Sequence, residues 1–256
     1  MFSRSKIKYL ASLKIKKSRN LHGQFIIEGD KIVRDILQDG KTLVQQLIAT
    51  EEWLSENRAL MSGRIEEIIE AEMKTIARIS SLETPAPVMA VADIPLAQPD
   101  FHELSESWSL ALENIQDPGN VGTIIRSADW FGIKNIVCSV DCADCFSPKV
   151  VQASMGAILN VKIHYTDLTE IMDKIPHDPS YRVYGTFLKG TPVHDLPAAS
   201  KGMIVFGNEA RGISKELFRY IQSRITIPPA KGNNTHAESL NVASAVAIVC
   251  ALLVRN

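Results

Sequence analysis

No two of the 14 glycines stand two positions apart, and no G-x-x-x-x-G-K-[ST] segment occurs. The first absence excludes the Gly-rich G-x-G cradle of Rossmann-type cofactor sites, and the second excludes a Walker A phosphate loop. Long apolar runs are missing too. The longest, Val242 to Val254, is broken by Ser244 and falls short of the roughly 20 residues that cross a bilayer. The basic N-terminus has no apolar h-region behind it, so a signal peptide is not expected. These absences point to a soluble, cytoplasmic protein without a membrane partner. Cysteine is scarce, with only Cys138, Cys142, Cys145 and Cys250, which in a cytoplasm read as reduced thiols. Cys142 and Cys145 have C-x-x-C spacing and Cys138 lies close by. A structural zinc site takes about four ligands, however, and no second cysteine pair exists, so no metal is expected.

What is present suits one large domain or two small ones with real cores: 256 residues, 45% of them hydrophobic. The formal net charge of −1 gives no global basicity. The charge is uneven, though. Residues 1–24 carry Arg4, Lys6, Lys8, Lys14, Lys16, Lys17 and Arg19 and no acid. Such a stretch either meets phosphates as a basic arm or is a solvated helix end.

Residues 1–92 read as a small α/β unit. "KIVRDILQDG" sets Ile32, Val33, Ile36 and Leu37 on one helical face and stops at Gly40. "QQLIAT" and "VMAVADI" read as strands, with a helix in "EEWLSENRAL". Residues 93–107 hold two prolines and little periodicity, which predicts a linker. From Trp108 the pattern becomes strand, loop, helix, repeated through residue 256. The strand candidates are "WSLALE", "KNIVCSV", "VKIHY", "RVYGTFL", "GMIVFG" and "SRITIPP". This alternation predicts an α/β fold, a mostly parallel sheet with helices on both faces. Sites in such sheets lie in loops beyond the carboxyl ends of strands.

Three such loops stand out. In "DPGNVGTIIRSADWFG", Asn120 is placed to cap a helix whose Val121, Ile124, Ile125 and Ala128 form the apolar face. Arg126 falls on the opposite side. A cation so near a helix N-terminus is mildly disfavoured by the helix dipole, so it either meets a phosphate or carboxylate or pairs locally with Asp129. In "IVFGNEARG" a buried-type strand runs into Gly207, and Glu209 either accepts from Arg126 or Asn120 or is a solvated turn residue. In "IPPAKGNNTHAESLNVASAVAIVCALLV" a helix apolar on nearly every face opens near Ser239 and Asn241. It belongs in a core or at a subunit interface. Ser239 reads as its cap and Asn241 as already inside it.

Together "NVGTIIRSADWFG", "VFGNEARG" and "SLNVASA" resemble, in order and content, the three signature motifs of the SpoU (TrmH-like) RNA methyltransferases of the SPOUT superfamily. "SPKVVQASMGA" resembles the segment between the first and second. The likeness covers Trp108 to Asn256. The N-terminal unit is similar in layout to the small RNA-binding domain of many members. The resemblance implies an S-adenosylmethionine-dependent 2′-O-methyltransferase of ribose in structured RNA, a homodimer through its C-terminal domain, with a deep C-terminal trefoil knot. It implies cofactor contacts at Gly207, Ile227 and Leu240, largely through backbone atoms. Catalytic and substrate-positioning roles fall on Asn120, Arg126, Glu209, Ser239 and Asn241, with Glu209 orienting Arg126 and Asn120. Arg126 would anchor the target ribose or its phosphate and steady the developing alkoxide. The separate N-terminal unit favours rRNA. A tRNA ribose methyltransferase and a non-catalytic RNA-binding protein on the same scaffold are the alternatives. The loop from Pro228 to Ser239 is longer than the family pattern, which brings Asn233, Asn234 and His236 into question at the cofactor rim.

Overall fold

The computed structural model describes residues 3–62, 64–95, 98–175, 178, 180–197, 199–230 and 238–254. In chain order the first elements are α1 (Arg4–Ser12), α2 (Lys16–His22), β1 (Gln24–Glu28), α3 (Asp30–Asp39), β2 (Val44–Ala49), α4 (Glu51–Glu56), β3 (Ile65–Glu70), α5 (Met73–Ile79) and β4 (Val88–Asp93). There follow α6 (Phe101–Glu106), β5 (Trp108–Leu112), α7 (Pro118–Trp130), β6 (Asn135–Cys138), α8 (Pro148–Ser154), β7 (Lys162–Tyr165), α9 (Leu168–Lys174), β8 (Arg182–Pro192), β9 (Gly202–Phe206), β10 (Ser223–Thr226) and α10 (Val242–Leu253). The chain divides into two compact units. One joins Met1–Leu96 with Asp144–Leu159, and the other joins Ala97–Ala143 with Asn160–Asn256.

The first unit holds a four-stranded sheet in the order β1-β4-β2-β3. Strand β4 runs antiparallel to β1 and β2, while β2 and β3 are parallel. The basic N-terminal stretch is no free arm. Ile7, Leu10 and Leu13, three apart, share one helical face and are buried in a cluster with Ile26, Ile48, Ile76 and Ile79. The cations ride on the outside of this packed helix, and they do not share one fate. Arg4, Lys8, Lys16 and Lys17 are exposed. Lys6 pairs with Glu67 at 2.6 Å, and Lys14 donates to the Ser80 carbonyl at 2.6 Å. Arg19, expected at an RNA surface, is 2% exposed. Its guanidinium donates to the carbonyls of Leu13 and Lys14, each at 2.8 Å, and pairs with Asp144. A side chain so enclosed cannot reach a phosphate.

Asp144 heads the distant segment that joins this unit. Behind it the Phe146 ring packs on Phe25 with centroids 4.8 Å apart, and α8 lies on β1. The segment is thus tied by a buried ion pair and by apolar contact. Removing one partner of a buried pair leaves the other charge uncompensated. Asp144→Ala is therefore expected to lower stability by about 3 kcal/mol, read from denaturant unfolding. A change within experimental error would show that the backbone carbonyls alone satisfy Arg19.

The second unit holds a six-stranded, wholly parallel sheet in the order β10-β8-β9-β5-β6-β7. All six strands expected after Trp108 are present. Strands β5 and β9 are buried at every residue, as near-continuous apolar runs require in a sheet covered on both faces. Their register pairs Leu112 with Phe206, so the loops that leave their carboxyl ends start side by side. Helix α7 buries Val121, Ile124, Ile125 and Ala128, the face read from the spacing, and packs with α10. Residues 101–106, inside the span expected to be irregular, form α6. Asp100 caps it by accepting from the His102 and Glu103 N–H groups, and Leu104 enters the core beside Ala111 and Val137.

Candidate functional site

The site begins where β5 ends. Asp117 accepts from the Asn120 N–H at 2.8 Å and so caps α7, with Pro118 at the first helical position. Proline suits that place because its missing N–H would be an orphan there anyway. The cap is therefore Asp117 rather than Asn120, and the Asn120 side chain is left for other work. Its Nδ2 donates to Glu209 Oε1 at 2.6 Å, and its Oδ1 accepts from Asn241 Nδ2 at 2.9 Å.

Asn241 explains why these amides point as they do. It is the N-cap of α10, accepting through Oδ1 from the Ala243 N–H at 3.0 Å and the Ser244 N–H at 3.3 Å. With its oxygen committed to the helix, only its NH₂ can face Asn120. Asn120 must then offer its oxygen to Asn241 and its NH₂ to Glu209. One directed chain, Asn241 to Asn120 to Glu209, ties the ends of three elements together. This reverses the expected capping roles of Ser239 and Asn241. Ser239 lies exposed ahead of the helix, and Asn241 holds the cap.

Arg126 sits six residues beyond Asn120 on α7, about 9 Å along the axis, and its side chain is exposed. Neither expected carboxylate engages it. Glu209 bonds Asn120, and Asp129 accepts from Asn160 at 3.1 Å. Among the described residues no hydrogen bond or ion pair reaches its guanidinium, so its planar fork of donors is open to solvent.

The loop after β9 is laced to the loop after β5. Asn208 Nδ2 donates to the Asn114 carbonyl at 2.9 Å, and Asn208 Oδ1 accepts from the N–H groups of Ala210 and Arg211 at 2.9 and 3.2 Å. The Asn208 carbonyl accepts from the Gly212 N–H at 2.8 Å, and Glu113 accepts from the Ser214 N–H at 2.8 Å. The turn closes on Gly207, where an added Cβ would stand 2.2 Å from the Gly212 carbonyl carbon and 2.4 Å from the Ile213 nitrogen. No side chain fits there. Between the two loops lies an open pocket of about 320 Å³ lined by Asn114, Gln116, Asn208, Glu209, Ala210 and Arg211. Of these only Glu209 is singled out in the sequence motifs; Asn114, Gln116, Asn208, Ala210 and Arg211 are not. Only their place just after strands could have marked them.

Gly207 and Ile227 each stand one place beyond a strand's carboxyl end, and Leu240, 49% exposed, directly precedes Asn241. Among the described residues no turn, loop or cap hydrogen bond engages the backbone N–H or C=O of any of the three. Main-chain groups at such loop positions are of the kind that a cofactor held through backbone atoms would engage. Asn233, Asn234 and His236 lie outside the described residues.

The "CADC" segment has a different use. Cys142 is buried, accepting from the Ile115 N–H at 3.3 Å and donating to the Leu112 carbonyl at 3.2 Å. A hydrogen bond from Cys138 pulls its thiol down to about 7, against burial, with Ser139 and the Ile115 N–H adding to the effect. Cys250 lies in the α10 core, and burial pushes its thiol up to about 12. Cys142 thus pins the start of the loop that leads to Asn120.

The chain is similar to several known proteins. The SpoU rRNA Methylase family pattern matches residues 107–251, and the MRM3-like substrate binding domain matches residues 4–90. The chain is 27% identical to the 23S rRNA (guanosine(2553)-2′-O)-methyltransferase RlmP of Bacillus subtilis, over 95% of this chain and 94% of that one. It is similar to a solved structure from Porphyromonas gingivalis ascribed to the TrmH family of RNA methyltransferases. There the identity is 40% and the TM-score 0.82, over 98% of this chain and 97% of that one. The AdoMet-bound rRNA methyltransferase of Sinorhizobium meliloti is 26% identical with a TM-score of 0.82, over 98% and 95% of the two chains.

Proposed function

The chain belongs to the SpoU rRNA methylase family, and we propose that in it Asn120, Arg126, Glu209, Ser239 and Asn241 carry the 2′-O-methylation of one ribose. It is an S-adenosylmethionine-dependent rRNA 2′-O-methyltransferase. The observation that carries the assignment of roles is the hydrogen-bonded chain Asn241–Asn120–Glu209. It joins the three motif segments, separated by as many as 121 positions, into one polar surface.

S-adenosylmethionine, when bound, supplies an electrophilic methyl on a sulfonium. Gly207, Ile227 and Leu240 are proposed to hold it through main-chain groups. Residues that held the acceptor hydroxyl beside that methyl would supply several kcal/mol of the barrier reduction. Arg126 is proposed to grip the target ribose or its phosphate in a bidentate manner and to steady the alkoxide as its proton leaves. A free guanidinium is too basic to take that proton unaided, so the proton is proposed to pass to water at this solvent-exposed face. Glu209 and Asn241 hold Asn120 from both sides, and Ser239 shapes the rim.

Three finer features belong to the same reading. The segment from β10 to α10 is proposed to thread a loop as a deep trefoil knot, which would bring Gly207, Ile227 and Leu240 into one pouch. A cofactor-bound crystal structure with the three far apart would remove it. A homodimer through the second unit is proposed because α7 and α10, which pack together, leave Trp130 84% and Ile248 36% exposed. Sedimentation at the mass of one chain would exclude it. The cytoplasm is the proposed location. Among the described residues no helix is long and apolar enough to cross a membrane.

Ribose methylation mapped in RNA from cells with and without the protein tests the whole reading. One rRNA 2′-O-methyl group is expected to vanish. An intact rRNA pattern with a lost tRNA mark would overturn the substrate assignment.

The N-terminal helices are proposed to add a sequence-independent grip on phosphates through Arg4, Lys8, Lys16 and Lys17, with Lys6 and Lys14 already engaged and Arg19 enclosed. Reversing charge at Lys8, Lys16 and Lys17 is expected to flatten the dependence of RNA affinity on salt by about one slope unit for each lysine–phosphate pairing removed. An unchanged slope in filter-binding titrations would take these helices out of the interface.

A further inference from the structure

The pocket between the loops after β5 and β9 has no role in the methyl transfer described so far, though it borders the same carboxylate. We propose that it receives the nucleobase of the nucleotide being methylated. Asn114 and Gln116 would read the base's edge, and the Arg211 guanidinium would lie over its face. The inference rests on the methyltransferase reading and adds to it the group that selects the nucleotide.

Size points this way first. At about 320 Å³ the pocket is at the lower end of ligand sites, which run from about 300 to 1,000 Å³. A volume of that size admits one nucleobase. Position points the same way. Glu209 lines the pocket and also bonds Asn120, so a base lodged there would have its sugar near the polar chain. None of Gly207, Ile227 and Leu240 lines it, although Gly207 directly precedes the lining residue Asn208.

The lining chemistry is that of a base reader. Asn208 is spent on one hydrogen bond that joins the two loops and two that close its own turn, so it is scaffold. The side chains of Asn114, Gln116 and Arg211 make no hydrogen bond or ion pair among the described residues. Amide groups present a donor and an acceptor together, the pairing that a base edge requires. Unstacked bases in RNA are commonly covered by aromatic rings or arginine planes, and Arg211 is the planar group in this lining. Glu209 in the same lining disfavours a phosphate as occupant. Asn114 also holds a left-handed backbone, φ 56°. That conformation is uncommon outside glycine, although asparagine tolerates it better than most residues. It is the kind of local strain that accumulates where geometry serves a ligand.

The test uses the full chain, rRNA purified from cells lacking it, and S-adenosylmethionine with a labelled methyl group. Gln116→Ala and Arg211→Ala are expected to lower kcat/KM for RNA roughly tenfold or more, as loss of base stacking does. Cofactor affinity by calorimetry should stay unchanged. Mapping of the labelled product should show methyl groups spreading to neighbouring nucleotides. Arg211→Lys, which keeps the charge and loses the plane, should fail as the alanine variant does. Weakened cofactor binding would give the pocket to the methyl donor, and a wild-type Arg211→Lys would make the interaction a phosphate pairing. Either result overturns the proposal, as does unchanged kcat/KM in all three variants. If these variants stay active while Arg126→Ala is dead, the pocket assignment falls and the catalytic reading stands. A wild-type protein that transfers no methyl to this RNA would remove both.

Discussion

Arg126→Ala is expected to abolish turnover while S-adenosylmethionine still binds with near-normal affinity. The guanidinium is exposed and bonds nothing among the described residues, so its loss should cost the fold less than about 0.5 kcal/mol. Its proposed work is done only on the RNA, where charge builds on the ribose oxygen. Removing one such donor typically slows a reaction by roughly 10² to 10³, and loss of the ribose anchor adds to that. Methyl incorporation into rRNA and calorimetry with the cofactor read the two halves separately. Arg126→Lys should also fail, because a point charge cannot reproduce a planar fork. An active alanine variant would end the assignment, and a variant that lost cofactor affinity would place Arg126 in the other half of the site.

Gly207→Ala should act from the opposite side. The new Cβ would stand 2.2 Å from the Gly212 carbonyl carbon, 2.3 Å from its oxygen and 2.4 Å from the Ile213 nitrogen. These are backbone atoms, so no side chain can swing aside. The loop must move, and the Asn208 bonds to Ala210, Arg211 and Gly212 move with it. Overpacking of this kind costs about 1–3 kcal/mol. Cofactor affinity is expected to fall roughly tenfold to a hundredfold with it, alongside a lower melting temperature. Normal binding in a normally folded variant would show that this turn neither holds the cofactor nor is as rigid as its packing implies.

The second unit was largely legible because its strands are apolar runs punctuated by turns. Each of the six expected strands is found, and the spacing of Val121, Ile124, Ile125 and Ala128 marks the buried face of α7. The first unit was less so. Strand β3, "IEEIIE", is mostly exposed with three glutamates, so it carries no period to read. In α1 the cations obscured Ile7, Leu10 and Leu13, whose spacing was there all along. Helix α6 had its signal as well. Asp100 followed three places later by Glu103 is a capping-box pattern, masked by the nearby Pro95 and Pro99.

At the site, residue identities were readable and partners were not. Asp117-Pro118 is a local helix-start signature that could have identified the α7 cap. The link from Asn120 to Asn241 spans 121 positions, and no local rule expresses it. Arg19 is the same lesson reversed. Its basic surroundings suggested a phosphate partner, but the carboxylate it pairs with, Asp144, lies 125 positions away.

That long tie has a consequence for how the protein is made. A ribosome working from the N-terminus finishes the first sheet well before it reaches the stretch that closes over Phe25 and neutralises Arg19. Until then the nascent chain leaves the Arg19 charge to water and the Phe25 ring without Phe146. Cutting the gene between the two halves would leave the front piece permanently in that half-made condition.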